Sequence, residues 1–182
     1  TLFRSCCLMD EERNAELKRA MYSARTPEEI KTILSQKLDN YIMKVQLIQM
    51  PFRKIDEEVS CILEIDGKYS LYDLHLLIQE AFYWDNDHMF SFYLGKNMDD
   101  RENEYSADPL GEHIISTFGK PTKPASDTQL RDLDLQEGQE FLYLFDYGDR
   151  LLHKIVVTSI EKLDDQKKRQ AEIVSRTGNT PE

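Results

Sequence analysis

Apolar residues recur at helical spacing over 71–82: Leu71, Leu74, Ile78, Ala81 and Phe82 fall on one face, and Leu77 widens the stripe. Ser70 precedes the run and Asp73 follows three residues later, a pattern that starts a helix there. The run breaks at Trp84-Asp85-Asn86-Asp87, after which His88, Phe90 and Phe92 alternate with Met89, Ser91 and Tyr93 as in a strand. The same period of two appears over 41–48, 59–65, 141–145 and 152–160. Pro51 and the charged stretch 53–58 join the first two of these strands, and Asp66-Gly67 closes the second. Gly148 is expected to supply the turn geometry between the last two. Residues 130–135 read as a short helical turn leading into the tight turn at Glu137-Gly138.

Residues 10–38 read as two polar helices, the second beginning at Thr26-Pro27-Glu28-Glu29 with Thr26 as cap and Pro27 in the first helical position. They are too short to enclose a core and form an N-terminal accessory over 1–40. The main domain spans 41–162, and 163–182 is a charged C-terminal segment that reads as cut short. Within the domain, the acidic loop 96–125 holds six acids and one arginine between residues 99 and 112, so it is expected to be solvated and mobile. Strand, strand, helix, strand, loop, strand, strand gives an α+β fold: a mixed sheet of about five strands with one main packed helix, β-grasp-like in outline. Leu74, Ile78 and Phe82 would then pack on Val45, Leu47, Ile62 and Tyr143.

Charge narrows the function. With 34 acidic and 23 basic residues the formal charge is −11, which disfavours nucleic acid as a partner, because duplex binding rests on Lys and Arg neutralising phosphates. No apolar run approaches the ~18 residues of a membrane span. The three cysteines, Cys6, Cys7 and Cys61, form no CxxC pair, so a reducing, cytoplasmic setting is the simplest reading. Cys61 lies among hydrophobes and reads as a buried small residue. No GxSxG elbow, phosphate-binding loop or dinucleotide fingerprint is present, and no cofactor is called for.

The candidate chemistry gathers at His75, Trp84, Asp85, His88, Asp146, Tyr147, Asp149 and His153. Imidazoles with carboxylates can exchange protons or hold a divalent ion, so His75, His88, Asp146, Asp149 and His153 form the alternative reading of a metal-dependent hydrolase or nuclease. Each has a plainer reading beside it. His75, in step with the apolar stripe, suits a core histidine; Asp146-Tyr147-Gly148-Asp149 suits a hairpin turn; the aromatics suit a core. No metal-binding spacing supports the ion.

The pattern Leu71-x-x-Leu74-His75-x-x-Ile78-Gln79-x-Ala81-Phe82-x-Trp84-Asp85-x-x-His88-x-x-x-Phe92, followed by Tyr143-x-Phe145-Asp146-Tyr147-Gly148-Asp149-x-x-x-His153, resembles the plasmid pRiA4b ORF-three-like family. Members also occur as insertion-element passengers labelled TnpR. The family usually has Gly where Tyr83 stands, Trp where Leu151 stands, and Trp-Arg where Ser60-Cys61 stand. The resemblance implies an α+β domain, an association with plasmids and mobile elements, and no established activity. The reading that results is a non-enzymatic binding domain. Its partner is an unassigned protein or small molecule, and its surface combines the 84–88 turn with the 146–149 turn.

Overall fold

The computed structural model describes Thr26 and residues 39–95, 97–99, 101–107, 122–162 and 170–180. The two helices expected over 10–38, including the Pro27 start, lie outside the described residues apart from Thr26. The central prediction, a helix beginning at Leu71, is met by α1 (Leu71–Phe82). Ser70 is its N-cap: the hydroxyl accepts from the Asp73 N–H at 3.1 Å, while the Asp73 carboxylate accepts from the Ser70 N–H at 2.8 Å. The carbonyls of Thr128 and Ala125 accept from the N–H groups of Leu71 and Tyr72, so the first turn is satisfied from outside as well. Replacing Ser70 by Ala is expected to lower stability by about 1 kcal/mol, measured by urea unfolding, because the Asp73 N–H loses its acceptor.

Among the described residues eight strands make one sheet: β1 (Asp39–Gln49), β2 (Ser60–Asp66), β3 (Phe90–Tyr93), β4 (Glu104–Ser106), β5 (Lys123–Pro124), β6 (Glu140–Phe145), β7 (Leu151–Lys162) and β8 (Ala171–Thr177). Their order is β5-β4-β3-β6-β7-β1-β2-β8. Every neighbouring pair is antiparallel except β4 and β5. This overturns the expected α+β, β-grasp-like roll of five strands. The described residues are sheet-dominated, with one long helix among them.

The three additional strands are ones that hydrophobic alternation does not mark. β4 falls inside the stretch expected to be a solvated loop, yet Glu104, Tyr105 and Ser106 are all buried. Glu104 is accommodated because the Ser91 hydroxyl donates to its carboxylate at 2.8 Å. A buried carboxylate persists only with such partners. β8 lies in the charged C-terminal stretch and pairs along β2 from Ser60↔Thr177 to Ile65↔Ala171, with six of its seven side chains exposed. A strand with no buried face has no reason to alternate.

The core fills one face of the sheet. Leu71, Leu74, Leu77, Ile78, Ala81 and Phe82 of α1 join Tyr41, Met43, Val45 and Leu47 of β1, Cys61, Leu63 and Ile65 of β2, and Phe141, Tyr143 and Phe145 of β6. Each large apolar side chain contributes roughly 1.5–3 kcal/mol when withdrawn from water. Ile62, expected in this layer, points to the other face and is only partly buried. On β2 the inward positions are 61, 63 and 65, one residue out of step, and a one-residue shift exchanges faces. Cys61 is a free thiol whose pKa burial pushes up to about 12, which suits packing and not nucleophilic attack.

Candidate functional site

Strand register brings several connections to one end of the sheet. β1 ends beside the start of β7 (Gln49↔Leu152), β7 starts beside the end of β6 (Leu151↔Phe145), and β6 ends beside the start of β3 (Phe145↔Phe90). The β1–β2 connection, the 83–89 turn after α1, the 146–150 turn and the end of β8 therefore share that end. Among the described non-glycine residues six have positive φ, and five of them lie here: Phe52, Tyr83, Asn86, Asp146 and Arg150. Such backbone is unfavourable for residues with a Cβ and concentrates where the surrounding structure holds a side chain in a particular place.

The 84–88 and 146–149 turns adjoin. The Asp146 N–H donates to the Met89 carbonyl at 3.0 Å, and the Tyr147 hydroxyl donates to the Phe90 carbonyl at 3.0 Å. One oxygen of Asp146 accepts from the N–H groups of Gly148 and Asp149 at 2.8 and 3.1 Å, and the other lies 3.5 Å from His88 Nε2. Asp146 itself takes φ 53° and Arg150 φ 57°, so these residues, not Gly148, carry the left-handed backbone of the turn. Asp85, Asp87, His88, Tyr147 and Asp149 are exposed along this edge. His88 Nδ1 lies 2.6 Å from the Asp87 carboxylate, which raises the imidazole pKa above its ordinary value, with Asp146 and Asp149 adding to the effect.

His75 and His153 lie elsewhere. His75 is fully buried on α1, stacked on Phe90 with ring centroids 3.7 Å apart. Its Nδ1 is 2.7 Å from the Tyr143 hydroxyl and its Nε2 is 2.6 Å from Asn86 Oδ1. Gln79 completes the network, donating to Tyr143 at 2.8 Å and accepting from the Asn86 N–H at 3.0 Å. Since the amide oxygen of Asn86 only accepts, Nε2 carries the proton and Nδ1 accepts from Tyr143. Burial holds the ring neutral, with a pKa near 4. This is the plainer reading of His75: a core histidine tying helix, sheet and turn together.

His153, on β7, is also fully buried, with its pKa pushed down by burial to about 3. Its Nε2 accepts from the Trp84 indole N–H at 3.4 Å, while Nδ1 has no well-formed hydrogen bond, although the backbone of Leu151 and Tyr143 lies near the ring. The structure thus brings together His88, Asp146, Tyr147 and Asp149, places Trp84 and Asp85 on the adjoining turn, and keeps His75 and His153 in the core. No group of three His, Cys, Asp or Glu side chains among the described residues is placed to hold a metal ion.

Residues outside the candidate set complete the site. Asn86 and Gln79 tie the first turn to the helix. Arg176 of β8 donates through Nε to the Ala81 carbonyl at 3.0 Å and through Nη2 to the Glu80 carbonyl at 3.4 Å, so a cation caps the C-terminus of α1, whose last turn has no basic residue of its own. The guanidinium also lies 5.1 Å from the centre of the Tyr83 ring. Tyr83 is the helix C-cap at φ 59°, ψ 35°, where glycine is the usual residue. The glycine that the family resemblance implies at this position is a signal of that geometry. Nothing in the sequence pointed to Arg176, which reaches α1 from 95 residues away.

An eight-stranded sheet carrying one doubly capped helix and a loop-bearing end defines the class of domain. The family described as plasmid pRiA4b ORF-3-like protein matches residues 40–182, and the chain belongs to that family. Among solved structures it is similar to the crystal structure of a protein of unknown function, MM3350, from Methanosarcina mazei Go1. The two are 18% identical, with a TM-score of 0.56 over 76% of this chain and 68% of that one. That likeness concerns the fold. No curated protein matches the chain. No helix among the described residues is long and apolar enough to cross a membrane.

Proposed function

We propose that the chain is a non-enzymatic binding domain that engages a partner through the edge formed by the 84–88 and 146–149 turns. The observation that supports it is the hydrogen bonding between the two turns, through Asp146 to Met89 and Tyr147 to Phe90, which sets the carboxylates of Asp87, Asp146 and Asp149 around His88, beside Tyr147. Rigid backbone beneath exposed polar side chains is what recognition requires, since little ordering remains to be done on binding. The metal-dependent alternative draws no support from this arrangement, because two of its three imidazoles lie in the core.

Asp85→Ala and Asp149→Ala provide the test. Both residues are exposed, so each variant is expected to melt within about 3 °C of the parent. Quantitative pull-downs from the host lysate are expected to show a protein retained by the parent and depleted on both variants. Equal retention on all three baits would overturn the reading, and so would a large, equal loss of melting temperature, which would make these residues structural.

A further inference from the structure

Beside the two-turn edge lies a groove of about 630 Å³ between the C-terminus of α1 and the end of β8. Tyr83 and Trp84 form one wall; Ser60, Thr177, Asn179 and Thr180 supply polar groups on others. Its volume falls in the range of sites for small ligands and short peptide segments. The aromatic wall is held in place from behind. Trp84 is anchored by its N–H to buried His153, and Tyr83 projects its ring into solvent, 73% exposed, from a left-handed backbone. An exposed tyrosine in that conformation costs stability relative to glycine and gains little from burial, and its contact with Arg176 leaves most of the side chain open to a ligand.

Two charged side chains line the groove, Arg176 and Asp85. Arg176 is engaged by the Ala81 and Glu80 carbonyls and by the Tyr83 ring. Asp85 is exposed and has no hydrogen-bond or ion-pair partner among the described residues. Arg176 is tied to the carbonyl end of α1, whose partial negative charge offsets part of its own, so the charge left to meet a ligand is the Asp85 carboxylate, next to two aromatic rings. Aromatic faces and a carboxylate together recognise a cation with an apolar stem. We infer that the groove binds a basic side chain, arginine or lysine, of an extended peptide segment, its cation at Asp85 and its stem against Tyr83 and Trp84.

This goes beyond the two-turn edge and shares Trp84 and Asp85 with it, but none of the 146–149 turn. Trp84 is the chain's single tryptophan, so its emission reports the groove directly. The full chain is titrated with acetyl-Gly-Arg-Gly-amide, with the Glu counterpart, and with arginine amide alone. A saturable change with the Arg peptide is expected, together with at least about tenfold weaker binding of the Glu peptide. Asp85→Asn is expected to weaken the Arg peptide by about tenfold, the loss of one charged contact. Tyr83→Gly is expected to weaken it while raising the melting temperature, a pair of effects that a purely structural tyrosine does not give. Asp149→Ala is expected to leave the titration unchanged, which separates this site from the edge proposed above. Arginine amide binding as tightly as the peptide overturns the peptide assignment. No saturable change, unaltered binding in Asp85→Asn, or preference for the Glu peptide overturns the site as a cation site.

Discussion

Acid is expected to unfold this protein through His75 and His153. Both rings are fully buried and neutral, with pKa values pushed from 6.5 down to about 4 and about 3 by loss of solvent. In the unfolded chain each takes up a proton near pH 6.5; in the folded chain neither does until far lower pH. Between those values the unfolded state binds more protons, so stability rises with pH there and falls as the solution is acidified. The contribution is complete above about pH 6.5 and is lost as pH drops toward about 4 for His75 and about 3 for His153. Each pH unit in that window removes about 1.4 kcal/mol per histidine, or about 3 kcal/mol per ring by pH 4. Two rings together remove about 6 kcal/mol, comparable with the whole stability of many domains. Urea unfolding at a series of pH values measures this, and His153→Leu is expected to halve the slope between about pH 6 and about pH 4.5. An unchanged slope in that variant would show that other groups govern the acid transition.

The two buried histidines also show why part of the site was legible in the sequence and part was not. Helix α1 could be read because its apolar stripe, its Ser70–Asp73 cap and its stop at Trp84 all agree. The long strands could be read because each buries one face. β4 and β8 could not: the first hides Glu104 through a hydroxyl from another strand, and the second lies on the sheet edge with nearly every side chain exposed. With them went the strand count and the β-grasp-like outline. At the site, His88 and His153 follow aspartate-bearing turns and His75 lies along the apolar stripe, and imidazole–carboxylate chemistry groups all three. Period sorts them differently. His75 is in step with Leu71 and Ile78, and His153 is in step with Ile155 and Val157, so both face the core. Only His88 stands outside an element, and only it reaches solvent among the three.

A positive φ at Tyr83 could be suspected only through the glycine that the family resemblance implies there. Its partner Arg176 could not, because contacts made across 95 residues leave no local pattern. The same gap separates His75 from Tyr143, 68 residues apart. Such pairs are written in the topology: β8 lies against β2 near the end of α1, and β6 lies beneath its middle. Once strand order is known, Tyr143 at the inward face of β6 is the group that meets His75 and Gln79.

Tyr143→Phe is therefore expected to be costly although it removes a single oxygen. That hydroxyl donates to His75 Nδ1 at 2.7 Å and accepts from Gln79 Nε2 at 2.8 Å, and all three side chains are buried. Without it, one acceptor and one donor stay in the core with no water to replace it, a loss of about 2–4 kcal/mol. The ring itself keeps its packing, so a cavity term is absent and the cost belongs to the unsatisfied pair. Adding Gln79→Leu to Tyr143→Phe removes the stranded donor and is expected to return part of the loss, so the double variant is more stable than the sum of the single effects allows. The Asn86 N–H that Gln79 also binds sits on an exposed turn residue and can turn to water. Urea unfolding of the two single variants and the double variant measures the coupling. A cost below about 0.5 kcal/mol for Tyr143→Phe, or strictly additive effects, would mean that the hydroxyl is not the junction joining α1 to β6.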